Sequence, residues 1–148
     1  MTDWDHRFLG LALHVATWSK DPTTQVGAVL VGRDKRDVAI GYNGFPPGLA
    51  DTVERLTNRP IKHAYTQHAE RNVLDNAHFR AEGATLFATK FPCVECAKSI
   101  ISKRVSRVVA PPADTDGVWA ESSRLAAAMF DEAGVEVTVR GDMARVPT

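Results

Sequence analysis

His68-Ala69-Glu70 and, further on, Pro92-Cys93-Val94-Glu95-Cys96 are the stretches around which the rest of the chain is arranged. His68 and Glu70 are two apart, so inside a helix their side chains would point to nearly opposite sides. They converge only if the meeting point lies off the end of a helix rather than along its flank. Cys93 and Cys96 are three apart and share one face of a first turn. Two helix N-termini therefore aim at one place. In an open α/β sheet such a place lies beyond the carboxyl ends of the strands. The exposed N–H groups of a helix N-terminus also favour thiolate over thiol.

Working outward, residues 3–19 carry Trp4, Phe8, Leu11, Ala12, Val15 and Trp18 at helical spacing. This predicts an amphipathic helix capped by Thr2 or Asp3, with both tryptophans in the core. Residues 25–31 form a nearly continuous apolar run, and 37–42 read as its hairpin partner. Asn43-Gly44-Phe45-Pro46-Pro47-Gly48 then breaks all periodicity. A long loop is expected up to Gln67, with one short helix over 52–56; loops of that length tend to be lids or binding segments. Helices follow over 68–80, 93–103 and 122–133, with strands over 84–89, 106–110 and 135–139, and the last residues read as frayed. Alternating strands and helices imply crossover connections. The expectation is one α/β domain over residues 1–148: a mixed five-stranded sheet with helices on both faces, in three layers.

A histidine, a carboxylate and two thiols at these spacings form a zinc site with a general acid/base beside it. His68, Cys93 and Cys96 supply three ligands and leave the fourth tetrahedral position open, as a catalytic zinc requires. A structural zinc knuckle would need one more ligand, with His63 and His78 the nearby candidates. Two thiolates formally cancel the charge of Zn²⁺, so water there is less acidified than beside three neutral histidines. A base must help. Glu70 is placed to take a proton from water and pass it on to a substrate.

Composition narrows the partners. Lys plus Arg and Asp plus Glu both total 18, so the formal net charge is zero, whereas proteins gripping nucleic-acid polymers usually show a basic stripe. The tract Lys98, Lys103, Arg104 and Arg107 reads as a solvated helix face. A small-molecule substrate is favoured over RNA or DNA. No apolar run is long enough to span a bilayer, and Asp3-Trp4-Asp5-His6 is unlike a signal peptide. A cytoplasmic protein is expected. The two cysteines would close only a tiny disulfide loop, so their spacing suits metal ligation in a reducing compartment.

The chain resembles the cytidine deaminase superfamily and, within it, the deoxycytidylate (dCMP) deaminases. The resemblance runs over roughly residues 19–137. It rests on residues 19–28 (Ser-Lys-Asp-Pro-Thr-Thr-Gln-Val-Gly-Ala), 41–46 (Gly-Tyr-Asn-Gly-Phe-Pro), 68–72 (His-Ala-Glu-Arg-Asn) and 92–98 (Pro-Cys-Val-Glu-Cys-Ala-Lys). It implies His68, Cys93 and Cys96 as ligands of one zinc per subunit, and Glu70 as the proton shuttle. It further implies that Asn43 bonds the sugar hydroxyl, that the Ala69 N–H meets the pyrimidine carbonyl, and that Asn72 helps hold the nucleotide. Lys20 is the first candidate for the 5′-phosphate, with Lys90 and Arg71 behind it. The resemblance also implies a homo-oligomer, commonly a hexamer, with dCTP and dTTP as effectors acting at the 41–47 loop. Residues 114–119 match no family pattern, and Trp119 reads either as a cover over the base or as a core or interface residue.

Three other readings stay open on the residues alone. One is a deaminase of another base, such as adenine in tRNA, guanine or a riboflavin precursor. The neutral charge speaks against the first, and the short interval from Cys93 to Cys96 against the last. Another is a deaminase of a modified deoxycytidylate selected by the 48–67 loop. The third is a non-catalytic, zinc-stabilised binding protein, which would have no use for Glu70.

Overall fold

The computed structural model describes residues 1–140. In chain order it contains α1 (Asp3–Ala16), β1 (Gly27–Val31), β2 (Val38–Tyr42), α2 (Val53–Thr57), α3 (Arg59–Tyr65) and α4 (Ala69–Asn76). Then follow β3 (Thr85–Ala88), α5 (Val94–Ser102), β4 (Arg107–Ala110), α6 (Ala120–Ala133) and β5 (Glu136–Val139). The strands form one sheet in the order β2-β1-β3-β4-β5. β1 is antiparallel to both its neighbours, while β3, β4 and β5 run parallel. The mixed five-stranded sheet and its opening hairpin are as the sequence predicts.

Side-chain alternation along β1 builds the three layers. Val29 and Val31 face α1, packing with Phe8, Leu9, Ala12, Phe87 and Val109. Ala28 and Leu30 face the other way, toward Val73 of α4, Ile100 of α5 and Phe130 of α6. Two glycines let these layers close. A Cβ on Gly27 would collide with the Ala12 carbonyl of α1 and lie 2.7 Å from the Ala16 nitrogen. One on Gly41 would lie 2.6 Å from the Val73 nitrogen and 2.8 Å from the Ala69 oxygen, so α4 rests directly on β2. That second approach fixes the start of α4, and with it His68.

Several expectations change. α1 starts with a capping box between Thr2 and Asp5 but stops at Ala16, three residues early, because Thr17 Oγ1 turns back onto the His14 carbonyl at 2.6 Å. Trp4 and Trp18 are not core residues: both are about half exposed, at 44% and 45%. Trp4 instead stacks on Phe8 beneath the Arg7 guanidinium, and Trp18 lies edge-on to His14 and Tyr42. The segment expected to be a loop with one helix holds two, α2 and α3, capped by the side chains of Thr52 and Asn58. α4 ends at Asn76 rather than residue 80, where the C-cap Ala77 takes an extended backbone with φ −65° and ψ 134°. Arg107 does not belong to a solvated face, since it makes two hydrogen bonds of 3.0 and 2.9 Å to Asp5. The fraying expected of the last residues lies outside the described residues. No helix among the described residues is long and apolar enough to cross a membrane.

Candidate active site

His68 is the N-cap of α4 and Cys93 the N-cap of α5, yet neither side chain makes a capping hydrogen bond. They turn instead toward each other, off the two helix ends. His68 Nδ1 lies 3.5 Å from Cys93 Sγ and 3.4 Å from Cys96 Sγ. The three candidate ligand atoms all lie within 4.8 Å of one another. Tetrahedral zinc, with Zn–S of about 2.3 Å and Zn–N of about 2.0–2.1 Å, puts nitrogen and sulfur about 3.5 Å apart. The spacing and the donor set fit zinc. Among the described residues no other group of three or more such side chains gathers, so neither His63 nor His78 closes the site.

The charges are arranged for the same purpose. The hydrogen bond from Cys96, aided by the nearby His68 ring, brings the Cys93 thiol down to about 4 against the cost of burial. Donating that bond, together with burial, pushes the Cys96 thiol up. Its hydrogen bond to the Cys93 sulfur raises His68, although burial works against it. Glu70 stands second in α4 and is almost fully buried. Burial pushes its carboxyl above the ordinary range, opposed by the charge of His68. A carboxyl in that state sits nearer the pH at which it can both accept and return a proton.

The cluster opens into a cavity of about 720 Å³. Glu70, Ala69, His68 and Cys93 line it together with Trp119, Phe91 and Lys90. Trp119 is edge-on to His68, with ring centroids 6.3 Å apart, and the Lys90 ammonium lies 4.8 Å from the indole centroid. Trp119 is therefore a site residue, neither buried in the core nor remote from the metal cluster. The rest of the wall comes from residues 21–24 and from α2 and α3, including Thr57, Arg59, Lys62 and His63.

The other predicted site residues separate into two groups. Asn43 lines the cavity, with its Oδ1 accepting from the Val26 N–H at 2.8 Å and its Nδ2 donating to the Thr24 carbonyl at 2.9 Å. Its second N–H and second lone pair are available to a ligand. Lys20 and Asn72 do not line the cavity. Lys20 is 70% exposed and pairs with Asp51 at 3.1 Å, while Asn72 Nδ2 donates to the Tyr42 carbonyl at 2.7 Å and ties β2 to α4. Arg71 is exposed and also lies outside the lining.

Sequence reading passed over Ser122, whose hydroxyl accepts from the Val94 N–H at 2.9 Å and so caps α5 from outside. It also passed over Lys62, which is buried against Asp21 and Thr23. Both contacts join residues 28 or more positions apart. No local pattern announces them.

The cytidine and deoxycytidylate deaminase zinc-binding region matches residues 2–111 of the chain. The chain belongs to this deaminase family. It is 41% identical over 140 residues to an uncharacterized deaminase in the luxG 3′ region of Aliivibrio fischeri, covering 93% of this chain and 94% of that one. It is 37% identical over 113 residues to human deoxycytidylate deaminase, covering 72% of this deaminase and 64% of the human protein. The chain spans 54% of a probable deoxycytidylate deaminase from Caenorhabditis elegans. Among solved structures it superimposes with a TM-score of 0.74 on the cyanophage S-TIM5 dCMP deaminase in complex with dCMP and dUMP. That match is 23% identical and covers 95% of this chain and 99% of the other, so the deaminase shares its fold.

Proposed function

We propose that this deaminase hydrolyses dCMP to dUMP and ammonia. The observation that carries the reading is the buried Glu70 beside the His68, Cys93 and Cys96 cluster, at the head of a cavity roomy enough for a nucleotide. The names of its deoxycytidylate deaminase relatives support the choice of substrate. Zinc held by His68, Cys93 and Cys96 supplies a Lewis acid that makes water a better nucleophile.

The chain's own residues do the rest. Glu70 Oε takes a proton from the attacking water and delivers it to N3 of cytosine. As the C4–N bond breaks, Glu70 carries the second water proton to the amino group, which leaves as ammonia. Ala69 N–H, at the open end of α4, meets the pyrimidine carbonyl, and the free N–H of Asn43 meets the sugar hydroxyl. Trp119 covers the base and excludes water from it.

The resemblance over residues 19–28 and 41–46 supports dCTP and dTTP as effectors and a homo-oligomer, with a hexamer favoured. Val38, Ile40 and Tyr42 on the edge strand β2, with Trp18 against Tyr42, are exposed and offer the apolar surface that a second subunit would cover. Ammonia release from dCMP, CMP, deoxycytidine, dCTP, 5-methyl- and 5-hydroxymethyl-dCMP, dAMP and guanine tests the substrate. Fastest turnover is expected with dCMP. A preference for deoxycytidine over dCMP would overturn the assignment.

A further inference from the structure

A deaminase that acts on a monophosphate must have a group that reads the phosphate, and besides the metal ligand His68 the cavity wall offers four basic residues: Arg59, Lys62, His63 and Lys90. Two of them are already committed. Lys62 Nζ lies 3.0 Å from Asp21 Oδ1 and 2.7 Å from Thr23 Oγ1, with the Lys62 and Asp21 side chains only 10% and 9% exposed. Its charge is spent on a carboxylate that would otherwise repel a phosphate from that wall. Lys90 lies over Trp119 at the metal end of the cavity, where the reacting base must go. Arg59 remains. It has no ion-pair partner among the described residues. His63 stands four residues later on α3, on the same helical face, and also lines the cavity.

We propose that Arg59, seconded by His63, is the specificity-determining residue that distinguishes a nucleoside monophosphate from a nucleoside. The inference rests on the monophosphate reading above and gives the phosphate a place on α3 rather than at Lys20. A guanidinium forks onto two phosphate oxygens at once, which a lysine ammonium does not. Arg59 lines the cavity and is exposed, so a phosphate bound there keeps part of its hydration while the base goes to the buried Glu70. The Lys62–Asp21 pair leaves the adjoining wall electrically neutral, so Arg59 supplies the attraction.

The experiment is calorimetric titration of the zinc-loaded protein with dUMP and with deoxyuridine, for wild type, Arg59→Ala and Arg59→Lys. The quantity read is the ratio of the two dissociation constants. Wild type should favour dUMP, and Arg59→Ala should cut that ratio by about tenfold to a hundredfold, the usual range for a charge-assisted hydrogen bond. Arg59→Lys should recover part of it. An Arg59→Ala protein that melts like wild type and keeps the full ratio would overturn the inference while leaving the monophosphate reading intact. A wild type that does not distinguish dUMP from deoxyuridine would overturn both. Should Arg59→Ala melt early, Arg59→Gln, which keeps the side chain's bulk, is judged by the same ratio.

Discussion

Glu70 combines two properties that seldom coincide, a nearly complete loss of solvent and a place among groups that exchange protons. Replacing it by Gln keeps the shape and removes the shuttle. Glu70→Gln should therefore bind zinc as wild type does and lose at least about a hundredfold in turnover. Metal analysis alongside ammonia release checks this, and retained turnover at full zinc content would sink the mechanism. At this scale much of the site is written in the sequence, because the spacing of His68, Glu70, Cys93 and Cys96 is itself a statement about geometry. Residues that act through distant partners are not written there. Asn43 bonds backbone groups 17 and 19 positions away, and nothing near it in the chain reveals that its amide is already half engaged.

Among the elements, α3 is tied to the segment at Asp21 by the buried Lys62. Burial alone would raise the Asp21 carboxyl, but the N–H groups of Thr23 and Thr24 and the Lys62 ammonium hold it below the ordinary carboxylate range. Removing the cation leaves a buried carboxylate without its partner. Lys62→Met should lower stability by up to about 3–5 kcal/mol at neutral pH, the range for breaking a buried pair. The sign with pH follows from the depressed value. The contribution is present above the unfolded carboxylate range and is lost as pH falls through the folded value. The melting gap between wild type and Lys62→Met should therefore narrow in acid, and a gap independent of pH would contradict the role given to this pair.

Helix existence and order were legible from periodicity, but ends were less so. The apolar spacing of α1 continues in the sequence to Trp18, although the helix stops at Ala16 and the indole packs edge-on to Tyr42. The short helix expected over 52–56 is α2, whereas the seven-residue α3 carries too few residues to show a period and only its cap at Asn58 marks it. The antiparallel pairing of β1 with β3 was equally hidden, since a strand's sequence records its burial and not its direction.

For the whole molecule, zinc is a fastener as well as a reagent, since its ligands join the starts of α4 and α5. Metal that binds only the folded chain adds about 2.7 kcal/mol when free zinc is a hundredfold above its dissociation constant. A chelator should lower the melting temperature and added Zn²⁺ should restore it. An unchanged melt would show that the site contributes nothing to folding. The same arrangement sets stability and activity against each other. Cys93 and His68 occupy cap positions at which Ser or Asp would each strengthen a helix by about 0.5–2 kcal/mol. A screen for thermostable variants run without zinc would be drawn to His68→Asp and Cys93→Ser, and each gain in robustness would come from dismantling the catalyst.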